Sequence, residues 1–194
     1  MGKKTSERPT LKLRVCVICG PVMKKYIVVA LSLAAASCFA APGDSNWAVR
    51  LGVIFPRLEG GVSGDTGGTL GIAYRAYKGQ SCSLEVEAMG SAYRATSGGD
   101  SATFSVSSLN LVGLYSLSSL IQGGGMAVPY IGAVVGVSTP SVSINGVNVD
   151  GDTSTSYGPI IGTTLNKQWF IEARYLFCDV PASRGTQIML GYRF

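Results

Sequence analysis

The 194-residue sequence contains no histidine, and charged residues make up only 14% of it. Without an imidazole, a Ser-His-Asp triad, a histidine-dependent lipid deacylase site and a histidine metal site are all excluded. A Ser-Lys dyad would have to use Lys78 or Lys167, and neither has a serine motif beside it. We therefore expect a protein that is not an enzyme, with no catalytic residues, no cofactor and no metal.

A basic face for nucleic acid is also missing, although the net charge is +5. Residues 1–40 contain seven Lys/Arg and one acid, whereas residues 41–194 contain nine Lys/Arg and ten Asp/Glu. The basic character therefore belongs to the first 40 residues, and we expect no nucleic-acid partner.

After residue 40, no uninterrupted apolar run reaches the ~18 residues that indicate a transmembrane helix. Residues 23–40, "MKKYIVVALSLAAASCFA", combine two lysines, an apolar stretch and terminal small residues, which is typical of a secretory signal peptide. We expect cleavage after Ala40 and a single domain over residues 41–194. Residues 1–22 are predicted to be an unstructured upstream extension.

What the sequence does have is period-two alternation, which recurs eight times after the leader. The alternating runs are 46–55, 69–78, 82–93, 104–117, 128–137, 156–165, 169–177 and 186–194. Their length suits a tilted membrane strand, which needs about 9–11 residues. The connections alternate between long Gly/Ser/Asp-rich and short ones, except that residues 118–127 would form a loose glycine-rich periplasmic turn. The pattern predicts an all-β fold, an eight-stranded antiparallel up-and-down transmembrane β-barrel.

The apolar face of these runs is predicted to meet lipid. Only 19 of the 154 residues after Ala40 are charged, whereas soluble domains carry ~25%. The opposite face is mostly Gly, Ala, Ser and Thr, which suits a crowded interior. Aromatic residues lie near strand ends on the apolar face, as membrane-interface girdles require. They are Trp47, Phe55, Tyr115, Trp169 and Phe177.

The inward face would carry four arginines and three glutamates. They are Arg50, Arg75, Glu85, Glu87, Glu172, Arg174 and Arg193. One interpretation is an ion path or a pair of catalytic carboxylates. We favour a structural salt-bridge network, because the interior of eight strands is just wide enough for its own side chains.

The chain ends in "QIMLGYRF", an alternating strand that stops on an aromatic residue. A closed barrel needs its last strand to pair with its first, so that no edge lies in hydrocarbon. In this ending the sequence resembles the small eight-stranded outer-membrane barrels, the opacity-protein and outer-membrane-protein A/X-like group. That group ends in polar-x-Gly-x-x-aromatic-x-aromatic; Gln187, Tyr192 and Phe194 match, and Met189 stands where Gly is usual.

The resemblance implies a location in the outer membrane of a Gram-negative-type bacterium. It also implies contact with outer-membrane lipid and lipopolysaccharide. The C-terminal residues would be an assembly signal for the barrel assembly machinery, with periplasmic chaperones as earlier partners. The function we expect is structural, surface-display or adhesive, through loops over residues 57–67, 94–102 and 139–152, with the extracellular ligand unknown.

Two other functions stay open at this point. Four glycines would leave space in the lumen for a narrow pore or small-ligand transport barrel: Gly132, Gly136, Gly158 and Gly162. A secreted soluble ligand-binding barrel would have the same alternation with its apolar face turned inward.

Two cysteines follow the leader. Cys82 begins the third run and Cys178 follows the seventh, which places them at opposite ends of the predicted barrel. Strands of membrane length would hold them far beyond the ~7 Å Cα separation that a disulfide allows. We expect both thiols to be unpaired.

The stretch "NGVNVDGDT", residues 145–153, has amide and acidic residues at alternate positions. Such spacing is also found in calcium-binding loops. An EF-hand calcium loop, however, would need Gly and Glu where Thr153 and Pro159 stand. We favour a tight turn at Asn145-Gly146 that extends a hairpin above the membrane.

Overall fold

The computed structural model describes residues 46–58, 63–97, 100–118, 127–144 and 147–194. The predicted upstream extension and the predicted signal peptide lie outside these ranges. No helix in the described ranges is long and apolar enough to cross a membrane.

Eight long and two short strands form the fold. In chain order they are β1 (Trp47–Pro56), β2 (Ser63–Gly64), β3 (Gly67–Lys78), β4 (Cys82–Ser97), β5 (Asp100–Ser116), β6 (Val128–Ile144), β7 (Val147–Asp150), β8 (Ser154–Thr164), β9 (Trp169–Cys178) and β10 (Gly185–Arg193). A 3₁₀ turn, Pro181–Ser183, precedes β10. Each of the eight alternating runs forms one of the long strands.

The long strands close into an antiparallel barrel in the order β1-β3-β4-β5-β6-β8-β9-β10, and β10 pairs with β1. The closing pair begins at Ala48 and Arg193 and continues along both strands. The amide of Phe194 donates to the carbonyl oxygen of Trp47 at 3.1 Å, so the pairing reaches the last residue. The predicted eight-stranded up-and-down barrel is confirmed.

The two ends of the barrel differ in their connections. One end, which we call the turn end, carries the strand termini Trp47 and Arg193 and the short connections 79–81 and 165–168. Residues 119–126, which make up most of the predicted glycine-rich turn, lie outside the described ranges. The opposite end, which we call the loop end, carries the connections that follow β1, β4, β6 and β9.

Side chains alternate between the two faces of the barrel wall. Leu51 and Ile161 on the outer face are 63% and 62% exposed, whereas Arg50 between outward neighbours is 0% exposed. The prediction that the apolar face points outward is confirmed, and the soluble barrel with an inward apolar face is contradicted.

The interior holds larger side chains than the predicted Gly, Ala, Ser and Thr. Ile54, Phe170, Leu176 and Met189 are buried inside the barrel. The physical reason is that an eight-stranded interior must be filled, because protein interiors are close-packed and voids forfeit dispersion contacts.

Three neighbouring strands continue beyond the others at the loop end. β4 reaches Ser97, β5 begins at Asp100 and β6 reaches Ile144, where β7 pairs with it. The short β2 pairs with β4 on the other side of this sheet. We call residues 92–97, 100–107 and 138–144, together with β2 and β7, the extension.

The predicted loops over residues 94–102 and 139–152 were wrong, because most of these residues lie in the extension. Their Ser- and Thr-rich composition resembles a loop, yet the alternation continues and threonine fits a strand well. The predicted loop over residues 57–67 contains β2. Residues 145–146 lie outside the described ranges, and the pairing of Ile144 with Val147 on either side fits the predicted hairpin.

Candidate functional site

The outward face of β4, β5 and β6 changes character along its height. Nearer the turn end, its cross-strand rows are apolar: Val86–Leu111–Val135 and Ala88–Leu109–Val137. The rows above them are Gly90–Ser107–Thr139, Ala92–Ser105–Ser141–Asp150 and Arg94–Thr103–Ser143–Asn148. A hydroxyl group costs free energy in hydrocarbon when it has no partner, so the change at Ser107 and Thr139 indicates the upper limit of the apolar belt.

The inward face changes in the opposite sense. Within the barrel it carries Glu85 and Glu87, both buried, whereas in the extension it carries a row of large apolar residues. That row is Tyr93–Phe104–Val142–Val149. The Tyr93 and Phe104 rings stack with centroids 5.4 Å apart. The extension thus has the polarity of a water-exposed sheet, with its polar side outward and its apolar side covering a small core.

This small core closes the loop end of the lumen. Ile54, Tyr93, Ala95 and Val106 are buried together, with Phe104 packed against them. The 3₁₀ turn folds over the same opening and contacts β5, β6 and β9. Ala182 and Ser183 are 8% and 2% exposed, so this segment occupies the mouth of the barrel and does not stand above it.

Below the small core, the seven predicted charged residues form one ion-pair network around Arg50. The Arg50 guanidinium lies 2.5 Å from Glu85, 3.0 Å from Glu87 and 3.2 Å from Glu172. Arg50 comes from β1, Glu85 and Glu87 from β4, and Glu172 from β9, so each pair joins two strands that have one strand between them. All four side chains are at most 1% exposed.

The other three arginines surround this centre. Arg174 donates to both oxygens of Glu87, at 2.7 and 3.0 Å, and also pairs with Glu172. Toward the turn end, Nη2 of Arg193 lies 2.9 Å from Oε1 of Glu85, and Nε of Arg75 lies 3.5 Å from the same oxygen. Paired, buried and hydrogen-bonded charges of this kind hold the barrel wall together from inside.

Three further residues complete the network, and alternation alone did not single them out. Asn110 donates to Oε1 of Glu87 at 2.9 Å, and the Tyr130 hydroxyl donates to Oε2 of Glu172 at 3.1 Å. The Phe170 ring lies 5.3 Å from the Arg50 guanidinium carbon and 5.2 Å from that of Arg193, within cation–π range. In the sequence, the one sign of this role was that each of the three is a polar or aromatic residue on the inward face of its strand.

The space that the four inward glycines leave is occupied. The Tyr130 ring lies against Gly162, and the Asn110 side chain lies against Gly136. Leu114 packs against Gly132, while Gly158 faces the backbone of β9 at Tyr175 (a fifth glycine, Gly191, is covered by the Phe170 ring). The narrow pore considered from the sequence depended on this open space, so the packing against these glycines argues against it.

The five predicted girdle aromatics lie on the outward face at the two ends. Trp47, Tyr115 and Trp169 are near the turn end, and Phe55 and Phe177 are near the loop end. Each end also gains tyrosines through ring contacts: Trp47 with Tyr74, Trp169 with Tyr192, Tyr157 with Phe177 and Tyr175 with Phe177. Trp47 and Phe55 on β1 are separated by ~26 Å along the strand, at about 3.3 Å per residue.

The predicted assembly-signal residues lie on both faces of β10. Gln187 is buried inside the barrel and donates to Ser91 at 3.5 Å. Tyr192 and Phe194 are outward near the turn end, with ring centroids 5.2 Å apart. Their role in assembly stays a prediction.

The two cysteines have free thiols and lie at opposite ends of the barrel. Cys82 is exposed at the turn end, whereas Cys178 is buried at the loop end within 2.9 Å of the Ser154 hydroxyl. Within the described ranges, no group of three or more Cys, Asp or Glu side chains could hold a metal ion.

Comparison with solved structures places this architecture among known barrels. The crystal structure of Neisserial surface protein A (NspA) matches with a TM-score of 0.52 and 15% identity, covering 76% of this chain and 96% of that chain. The chain has the fold of a small eight-stranded outer-membrane barrel. Ail, the attachment invasion locus protein of Yersinia pestis, matches at 16% identity over 77% of this chain and 99% of its own, with a TM-score of 0.46. Neither a protein-family model nor a curated protein sequence matches the chain.

Proposed function

We propose that this protein is an outer-membrane barrel that displays the extension at the cell surface, where the extension binds a polar extracellular partner. The observation that carries the proposal is the reversal of polarity between the barrel and the extension. The extension continues the sheet beyond the apolar belt, and its outward face is polar while its inward face is apolar. Such a sheet is suited to contact with water, and it is supported by the strands of the barrel wall.

The outward face of the extension offers a specific chemistry for binding. Its rows place hydroxyl groups of four serines and two threonines beside Arg94, Asn148 and Asp150. Hydroxyl and amide groups both donate and accept hydrogen bonds. Such a surface, held in place by the paired strands of a sheet, favours a polar partner such as a glycan or a hydrophilic protein face.

The closed lumen supports display over transport. An ion would have to pass the charge network around Arg50 and the segment that carries Ala182 and Ser183. Charge pairs at most 1% exposed and a packed small core leave no continuous water path among the described residues. The resemblance to NspA supports the barrel fold, and the proposed location and role rest on the belt and the extension.

The first test is accessibility in intact cells. In a Cys82→Ser background, Thr103→Cys is expected to react with a membrane-impermeant maleimide, because Thr103 lies on the outward face of the extension. Ser81→Cys at the turn end is the matched control and is expected to react only after the outer membrane is opened. Equal labelling of both positions in intact cells, or labelling of Ser81→Cys alone, would contradict the proposed orientation.

The second test concerns binding. Cells producing the protein are compared with cells producing a triple variant, Thr103→Ala, Ser141→Ala and Ser143→Ala, on a glycan array and on host-cell monolayers. We expect attachment in the first case and a loss of most of it in the second, with equal amounts of folded barrel in both. The proposal fails if the triple variant attaches as well as the unaltered protein.

A further inference from the structure

The turn end of the barrel carries a strong charge imbalance that the proposed surface function does not use. Apart from the glutamates of the ion-pair network, its charged side chains in the described ranges are all basic. They are Arg75, Lys78, Lys167 and Arg193. At the loop end, by contrast, the acidic side chains that the structure describes outnumber the basic ones by four to three. The acidic residues are Asp65, Asp150, Asp152 and Asp179, and the basic residues are Arg57, Arg94 and Arg184.

The same imbalance reaches into the buried network. Four arginines meet three glutamates, and Glu85 alone faces Arg50, Arg75 and Arg193. The Nε–H groups of Arg75 and Arg193 are buried and donate no hydrogen bond to an acceptor in the described ranges, as is also true of Nε and Nη1 of Arg50 and Nε of Arg174. In the described ranges Arg75 and Arg193 share the carboxylate of Glu85, whereas Arg174 pairs with both Glu87 and Glu172. The excess positive charge therefore lies at the turn-end mouth, where a buried cation without a full set of partners carries a desolvation penalty.

A cavity of about 150 Å³ opens at this point. Arg75, Lys78 and Arg193 line it together with the hydroxyl-bearing residues Ser83 and Tyr130. Cavities of roughly this volume hold a molecule the size of benzene. A phosphate or a small carboxylate has a similar number of non-hydrogen atoms and therefore fits.

We propose that the turn-end mouth is a binding site for a small oxyanion, a phosphate or carboxylate group, held between Arg75, Arg193 and Lys78. The planar guanidinium groups match the geometry of these anions, and the lysine adds a mobile cation at the rim. The bound anion balances the positive charge that Glu85 leaves uncompensated. The site lies at the end opposite the extension, so it is independent of the proposed surface binding.

The test uses the barrel refolded in an uncharged maltoside detergent, which contains no phosphate. Inorganic phosphate is titrated by calorimetry, and the unfolding temperature is measured in phosphate and in chloride at equal ionic strength. We expect saturable binding of one phosphate and a higher unfolding temperature in phosphate than in chloride. Absence of saturable binding to the unaltered protein would overturn the proposal.

Variants separate this site from general attraction of anions to the basic end. Lys78→Gln is expected to weaken phosphate binding roughly tenfold, the loss of one charge-assisted hydrogen bond. Lys167→Gln is the matched control, since it removes the same charge at the same end but does not line this cavity. Arg193→Gln should abolish phosphate binding. If Arg193→Gln fails to fold, Arg75→Gln is measured in its place, with the same expected result. Equal weakening by Lys78→Gln and Lys167→Gln would overturn the site.

The source of the anion is distinguished by a second arm of the experiment. The barrel is placed in nanodiscs of phosphatidic acid or kept in maltoside, and phosphate is titrated into each. If a lipid headgroup occupies the mouth, added phosphate binds only in maltoside. If the ligand is a free periplasmic anion, the phosphate affinity is the same in both, and either result supports the site.

Discussion

The Tyr93 hydroxyl donates a hydrogen bond of 2.8 Å to the carbonyl oxygen of Ala182, across the loop end of the lumen. The two residues are far apart in sequence: Tyr93 lies in β4, whereas Ala182 lies in the 3₁₀ turn between β9 and β10. Their contact links the extension, through β4, to the segment before β10 that fills the mouth. The same hydrogen bond therefore connects the extension to the segment that closes the loop end of the lumen.

Removing this hydrogen bond should loosen the segment without unfolding the barrel. Tyr93→Phe keeps the stacking on Phe104 but leaves the Ala182 carbonyl without its donor, at a cost of about 1 kcal/mol. We expect faster tryptic cleavage after Arg184, measured by mass spectrometry on the barrel in detergent. Tyr157→Phe, which removes a hydroxyl from an exposed ring on the outer wall, is the control. Unchanged cleavage in Tyr93→Phe would show that the segment is held by packing alone.

The ion-pair network is expected to depend most on Arg50, because this guanidinium faces all three glutamates. Arg50→Met leaves those carboxylates partly uncompensated in a dry interior. Breaking a buried pair in this way typically costs about 3–5 kcal/mol. Urea unfolding in detergent, followed by the mobility shift of the unboiled band on a gel, measures the loss.

Arg94→Met is the matched control for Arg50→Met. Arg94 is exposed on the extension, so the same substitution there should leave the urea midpoint almost unchanged. A second comparison, the double variant Arg50→Met and Glu85→Gln, should be less stable still, because Arg75 and Arg193 then lose the carboxylate that they contact. If Arg50→Met and Arg94→Met unfold at the same urea concentration, the network does not stabilise the barrel.

Sequence alternation predicted the eight strands and their outward face for a simple reason. Lipid outside and close packing inside impose opposite demands on successive residues of every strand, so a period of two survives along the barrel. The inward charges were found by the same rule, since Glu85 and Glu87 alternate with outward Leu84 and Val86. This part of the prediction needed only local information.

What could not be predicted depends on relations between strands. The pairs that Arg50 and Arg174 make with strands that are not their neighbours follow from the stagger of the closed barrel, which no single strand contains. A bulge between Arg75 and Tyr77 shifts the register and turns Tyr77 outward, to 57% exposure. The extension was missed because its polarity is reversed relative to the barrel.

Interior packing makes a specific prediction at Gly191. A Cβ at this position would overlap the Phe170 ring, which contacts both Arg50 and Arg193. Gly191→Ala should therefore destabilise the barrel by about 1–3 kcal/mol, the typical cost of overpacking. Gly90→Ala is the control, since a Cβ there meets nothing within 4 Å. Thermal gel-shift curves compare the variants, and equal transition temperatures would mean that the Phe170 ring moves aside freely.

A variant of the C-terminal aromatic residue can distinguish an effect on assembly in cells from an effect on the stability of the folded barrel. Phe194 is the last residue, and its ring lies outward beside Tyr192, where an assembly factor could reach it before the barrel closes. If Phe194 is part of the assembly signal, Phe194→Ala should lower the folded fraction in the outer membrane several-fold, while the purified variant refolds in detergent almost as well as the unaltered chain. Phe177→Ala, which removes an exposed aromatic at the loop end, should leave the amount in the membrane close to normal. Equal defects in cells and in detergent would mean that Phe194 acts through the packing of the closing strand, since the detergent contains no assembly machinery.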